Sequence, residues 1–146
     1  DVLGIDIDQG FVSGAAAEAR QWGVEGHVRF AVDDGELGSV PDASVDIVFT
    51  KSVLVVVPGL EAYLSRLAAK MRPGGKLVFV ENGRGNVLLH AARRWRHRRW
   101  DHHRVNYFGD EQIGLIRRVF DVELVAQTAI PPVYLVCGRA RDKGSA

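Results

Sequence analysis

Residues 45–81 read VDIVFTKSVLVVVPGLEAYLSRLAAKMRPGGKLVFVE. The first six, VDIVFT, form a short apolar run rich in β-branched and aromatic residues, as a buried strand requires. Leu60, Leu64, Leu67, Ala68 and Met71 then fall three or four apart, the apolar stripe of an amphipathic helix, and Arg72-Pro73-Gly74-Gly75 ends it. Residues 76–81, KLVFVE, return to a strand pattern. A helix between two strands carries the chain back to its starting edge, so the two strands run parallel.

The same alternation extends both ways. Upstream, Val2, Leu3, Ile5 and Ile7 form an apolar run broken only by Gly4 and Asp6, which reads as a buried parallel strand. Phe11, Ala15, Ala19 and Trp22 mark a helix over 10–22 stopped by Gly23, and HVRFAV at 27–32 is a further strand closing on Asp33-Asp34-Gly35. Downstream, a long helix is expected from Asn86, with Val87, Leu88, Ala91 and Trp95 on one face, and another over 110–119. Strands at 122–127 and 133–139 are joined by too few residues for a helical crossover, so they must run antiparallel. The expected fold is α/β: a Rossmann-like, mostly parallel sheet with helices on both faces and an antiparallel C-terminal strand, residues 1–146 forming a single domain.

Composition agrees. The 146 residues are 47% hydrophobic and 25% charged, ordinary globular values that exclude disorder, collagen and coiled coil. One cysteine, Cys137, excludes a disulfide framework, reads as a small core residue and suggests a cytoplasmic location. No apolar run reaches the ~18–20 residues of a membrane span. The net charge of +1 conceals seven arginines between Arg84 and Arg104 against one acid, Asp101. One basic segment therefore stands on an acidic body.

Open α/β sheets bind ligands beyond the carboxyl ends of their strands. Those ends carry Asp6 and Asp8, then Asp33 and Asp34, then Thr50-Lys51-Ser52, then Glu81-Asn82. A strand-end carboxylate can accept two hydrogen bonds from a ribose diol, and Asp6 is better placed for this than Asp8; either could instead cap the following helix. Asp34 beside Gly35 could accept from an exocyclic amine, or form an ordinary Asp-Gly turn.

The series VLGIDID, VRFAVDDGELGSVPDASVDIVFT and LEAYLSRLAAKMRPGGKLVFVE resembles the class I S-adenosylmethionine-dependent methyltransferases, of the type 11 kind. The resemblance implies S-adenosyl-L-methionine as cofactor, with Asp6 on its ribose hydroxyls, Ile7 against the adenine, and Asp34 with Gly35 at the adenine amine. It also implies that Thr50 and Lys51 flank the methionine moiety, that Asp46 is structural, and that a reversed last strand closes the sheet. Ser52, Val53, His102, His103 and Tyr107 are the expected substrate-enclosing residues. The implied reaction is methyl transfer to a small-molecule nucleophile, with an anionic acceptor suited to the arginines.

The sequence departs from that family twice. The family's first strand and glycine-rich loop are missing, so an upstream segment is expected, and the strands at 2–7 and 45–50 would each lack a neighbour. Such a seam could be closed by direct pairing of the two strands, by the rest of a longer protein, or by a strand from a second copy in an oligomer. Val55-Val56-Val57 stands where the family often has a histidine pair, so no catalytic residue is assigned.

Other motifs are weaker. Gly83-Arg84-Gly85-Asn86-Val87-Leu88 resembles a dinucleotide fingerprint, but Leu88 replaces its third glycine and the acid beyond, Asp101, lies among arginines; a strand-to-helix turn explains it. The run RRWRHRRWDHHR could bind phosphates, with Trp95 or Trp100 stacking on bases, but Trp95 continues an apolar stripe, so nucleic acid is the less favoured partner. A non-catalytic domain binding an anionic partner through residues 84–104 is the alternative function. His97, His102 and His103 do not share a helix face, and no metal is expected. Tyr107-Phe108 could staple the next helix or touch substrate.

Overall fold

The computed structural model describes residues 1–83, 107–130 and 132–141. The chain divides into two compact units, Asp1–Pro41 and Asp42–Ala146.

In the first unit, β1 (Val2–Asp6), α1 (Gln9–Gln21) and β2 (Val28–Val32) make a parallel crossover, with Val2 opposite Val28 and Asp6 opposite Val32. A Cβ at Gly4 would lie 2.7 Å from the Phe30 ring, so only glycine lets that ring lie across β1. Asp8 caps α1: its Oδ1 accepts the amides of Gly10 at 2.6 Å and Phe11 at 3.2 Å. Gly23, at φ +66°, turns the chain out of the helix as expected. The burial differs from the expectation. Ala19 is buried, but Phe11 and Trp22 are 64% and 78% exposed, and Val2 and Leu3 are exposed on the strand read as buried. Two strands under one helix cannot cover both sheet faces.

In the second unit, β3 (Val45–Lys51), α2 (Leu60–Lys70), β4 (Met71–Asn82), α3 (Asp110–Val119), β5 (Phe120–Gln127) and β6 (Val133–Ala140) build a sheet in the order β3-β4-β6-β5. β3 and β4 are parallel, and β6 is antiparallel to both β4 and β5. Three strands therefore point one way and β6 alone is reversed, as the sequence indicates. Leu60, Tyr63, Leu64 and Leu67 of α2, Ile113 and Ile116 of α3, Leu77 and Phe79 of β4 and Phe120 of β5 are buried. The Phe79 and Phe120 rings meet edge to face with centroids 6.1 Å apart.

The Arg72–Gly75 turn was expected between helix and strand, yet it lies inside β4. Val45 pairs with Met71 and Ile47 with Lys76, so three extra residues loop out opposite one on β3. Gly74 takes φ +72° and a Cβ at Gly75 would stand 3.2 Å from the carbonyl oxygens of Val45 and Asp46. Asp46 pairs with the Arg72 guanidinium across this bulge. Within the first unit β1 pairs with β2, and within the second β3 pairs with β4. The helix expected from Asn86 lies outside the described residues.

Candidate functional site

In the first unit, the parallel register brings the ends of β1 and β2 side by side, and the Asp33 amide donates to the Asp6 carbonyl at 3.0 Å. The Asp6 side chain is exposed at this edge. Its Oδ1 accepts the Asp8 amide at 2.9 Å, and its Oδ2 has no hydrogen bond from the described residues. Ile7 follows with 75% exposure, an apolar surface beside a carboxylate. Asp8 caps α1 through Oδ1, and its Oδ2 likewise has no hydrogen bond from the described residues.

After β2 the two aspartates divide. Asp33 is buried; its Oδ1 accepts the amides of Gly35 and Leu37, both at 2.9 Å, and its Oδ2 accepts the Ser39 hydroxyl at 2.7 Å and the Ser39 amide at 3.3 Å. Burial alone would raise its pKa, but the Ser39 hydroxyl and the three amides outweigh it and hold the carboxyl below its ordinary value. Asp34 is exposed, its Oδ1 accepting the Glu36 amide at 3.0 Å. Gly35 takes φ +87° with open space where a Cβ would stand. The loop is thus fixed from behind by Asp33 and displays Asp34 and Gly35 outward.

In the second unit, the strand ends gather around Glu81, which is fully buried. Its Oε1 accepts the Thr50 hydroxyl at 3.0 Å and the amides of Leu54 at 3.2 Å and Val53 at 3.3 Å, while its Oε2 accepts the Val55 amide at 3.4 Å. Burial pushes its pKa up, against the pull of the Leu54, Thr50, Val53 and Val55 donors. Ser52 sits at φ +57°; its amide donates to the Val80 carbonyl at 2.9 Å and its hydroxyl accepts from Asn82 Nδ2 at 2.7 Å. Thr50 is therefore buried with its hydroxyl engaged, whereas Lys51 and Val53 are exposed. At the same end of this sheet, Tyr134 lies between Glu81 and Gln127. A cavity of about 410 Å³ opens there, lined by Phe108, Gln112, Gln127 and Tyr134 among others. Tyr107 is half-buried beside fully buried Phe108, whose amide donates to the Asn82 carbonyl. His102, His103 and residues 84–106 as a whole lie outside the described residues.

The sequence profile of a family described as "Methyltransferase domain" matches residues 1–79, more than half of the chain. The chain belongs to the class I S-adenosylmethionine-dependent methyltransferases. It is 36% identical over 94 residues to nocamycin O-methyltransferase of Saccharothrix syringae, covering 64% of this chain and 32% of that protein. It is 27% identical over 84 residues to phosphoethanolamine N-methyltransferase 2 of Caenorhabditis elegans, covering 58% of this chain and 19% of that one. The chain thus spans a third or less of the length of these relatives. Among solved structures, the cyclase SpnF superposes with a TM-score of 0.76 over 95% of this chain and 66% of its own, at 14% identity. A structure described as a SAM-dependent methyltransferase of Methanosarcina mazei superposes with a TM-score of 0.71 over 95% of this chain and 81% of its own, at 17% identity, and these likenesses show the fold alone.

Two residues of this methyltransferase chain, Asp33 and Glu81, were named at strand ends from its sequence but given no role. Glu81 carried a signal. It is in phase with Leu77 and Phe79 at period two, and both of these are buried. A carboxyl in an inward position must find donors, and the backbone amides of the loop after β3, with the Thr50 hydroxyl, supply them. Asp33 is one of two adjacent aspartates, and only the turned backbone shows which of them faces inward. Among the described residues, no three metal-ligating side chains cluster, and no helix is long and apolar enough to cross a membrane.

Proposed function

We propose that this chain is part of one methyltransferase domain that transfers a methyl group from S-adenosyl-L-methionine to a small-molecule nucleophile. In this in-line displacement, the nucleophile's lone pair forms the bond to carbon as the carbon–sulfur bond breaks toward sulfur. The observation carrying the reading is the pair of strand ends in the first unit. Asp6 keeps a carboxylate oxygen available, Ile7 exposes an apolar surface next to it, and Asp34 with Gly35 projects from a loop held by Asp33. That donor and acceptor set fits an adenosine: a carboxylate for the ribose diol, an apolar contact for the purine, an acceptor for its amine. The family match, which covers residues 1–79, runs through residues of both units and supports reading them as one domain.

When bound, the cofactor supplies a methyl group made electrophilic by its positive sulfur. The protein's own work is positioning and exclusion of water. Asp6 orients the ribose, and Asp34 and Gly35 fix the purine. Thr50 and Lys51 serve the methionine end, Thr50 from its buried position and Lys51 from the surface. Ser52, Val53, Tyr107, His102 and His103 enclose the acceptor. The cavity beside Phe108 and Tyr134, about 410 Å³, has the size of small-ligand sites, which run from ~300 to ~1,000 Å³. The relatives named above are an O- and an N-methyltransferase, and the second acts on a phosphorylated amine, which supports an anionic acceptor meeting the arginines of residues 84–104. The single cysteine supports a cytoplasmic location.

Calorimetry with S-adenosylmethionine tests this reading. Saturable one-to-one binding supports it. Absence of binding, with affinity for random duplex DNA that falls steeply with salt, would instead favour a non-catalytic domain using its arginines.

A further inference from the structure

Glu81 does not border the expected ligand; it stands behind the loop that does. It is the last inward-facing residue of β4, fully buried, and its two oxygens take four donors from residues 50–55. Asn82, next along β4, holds the Ser52 hydroxyl at 2.7 Å, and the Val80 carbonyl holds the Ser52 amide. Three consecutive residues of β4 therefore grip the loop that leaves β3. Ser52 is a non-glycine residue in the left-handed region, a conformation that persists only where the surroundings enforce it. The grip from β4 is that enforcement. It leaves Lys51 and Val53 exposed on either side of Ser52 while the Thr50 hydroxyl and the amides of residues 53–55 turn inward.

We propose that Glu81, assisted by Asn82, is a positioning residue for cofactor binding: it sets the shape of the 50–55 loop so that the loop can receive the amino-acid end of the cofactor. The carboxylate is suited to this because an ionised acidic side chain offers two acceptor atoms and no donor to four converging groups. A glutamine in its place turns one oxygen into an NH₂ that confronts the Val55 amide, donor against donor. An alanine releases all four donors and leaves the amides of Val53, Leu54 and Val55 unsatisfied. The inference rests on the reading above that this loop serves the methionine end.

Two ligands separate a positioning role from a structural one. S-adenosylhomocysteine carries the amino-acid tail; adenosine has the same purine and ribose without it. Calorimetry on the full chain should show Glu81→Ala and Glu81→Gln weakening S-adenosylhomocysteine by about tenfold or more, since charged-group hydrogen bonds are lost. Adenosine affinity should stay within about twofold of wild type by the same arithmetic. Asn82→Ala, which releases the Ser52 hydroxyl without touching the Glu81 cluster, should show the same selectivity at smaller size and serves if the Glu81 variants do not fold. Equal losses for both ligands would make Glu81 merely structural and overturn the proposal, as would unchanged S-adenosylhomocysteine affinity. If the wild-type chain binds neither ligand, the reading of residues 1–146 as a cofactor-binding chain fails, a different result from either.

Discussion

The main-chain amide of Asp33 donates to the carbonyl of Asp6 at 3.0 Å, joining the ends of β1 and β2 at the point where both strands stop. This bond sets the two acidic loops of the first unit side by side. It also separates their roles. Asp33 spends both oxygens on Gly35, Leu37 and Ser39 and builds the frame, whereas the exposed Asp6, Asp8 and Asp34 each engage Oδ1 alone, Asp8 in the cap of α1.

Asp8→Ala should therefore be a stability variant. Loss of an N-cap costs about 0.5–2 kcal/mol, read as a lower urea midpoint, while affinity for S-adenosylhomocysteine measured well below the unfolding transition changes little. A loss of affinity as large as that from Asp6→Ala would reassign the ribose contact.

Asp33 makes a pH-dependent contribution with a defined sign. Its folded pKa is depressed below the ordinary aspartate value of 3.8. The unfolded chain therefore binds the proton more readily, and the stability Asp33 provides is present above that value and lost as pH falls through the folded pKa. Urea unfolding between pH 2 and 5 should show Asp33→Asn with a shallower acid limb than wild type. Parallel limbs would mean that the four bonds to Gly35, Leu37 and Ser39 do not form in solution.

Gly138→Ala tests the sheet of the second unit. A Cβ there would meet the Asp121 carbonyl oxygen at 2.4 Å, where β5 shifts register between Val122 and Leu124. Forcing an atom into a closed site costs about 1–3 kcal/mol, so the variant should unfold at lower urea. Wild-type stability would show that β5 does not pack against β6 in this register.

Much of this architecture was legible in the residues. The period-3.6 stripe of Leu60, Leu64 and Leu67 gave α2, and the short span between residues 127 and 133 forced β5 and β6 to be antiparallel. Where the reading missed, the cause was context that a one-dimensional pattern does not carry. Phe11 and Trp22 keep a helical stripe that the described residues leave exposed, the sheet of that unit having two strands. Arg72-Pro73-Gly74-Gly75 has the composition of a linker, yet Met71 already pairs with Val45, which turns the linker into a bulge. At the site, the strand-end positions of Asp6, Asp34, Thr50 and Lys51 followed from the fold. The division of labour between Asp33 and Asp34 did not, because it depends on φ angles at Gly35 and Leu37 that place one carboxylate inside the turn.

The account stands most directly on the affinity of the Asp6→Ala variant for S-adenosylhomocysteine, measured by calorimetry beside wild type and Asp8→Ala. Loss of charge-assisted bonds to a diol costs about 1.5–3 kcal/mol, so Asp6→Ala should bind more than about tenfold more weakly while retaining its thermal unfolding midpoint. Equal affinity in wild type and Asp6→Ala would contradict the assignment of the β1 strand end as the ribose site.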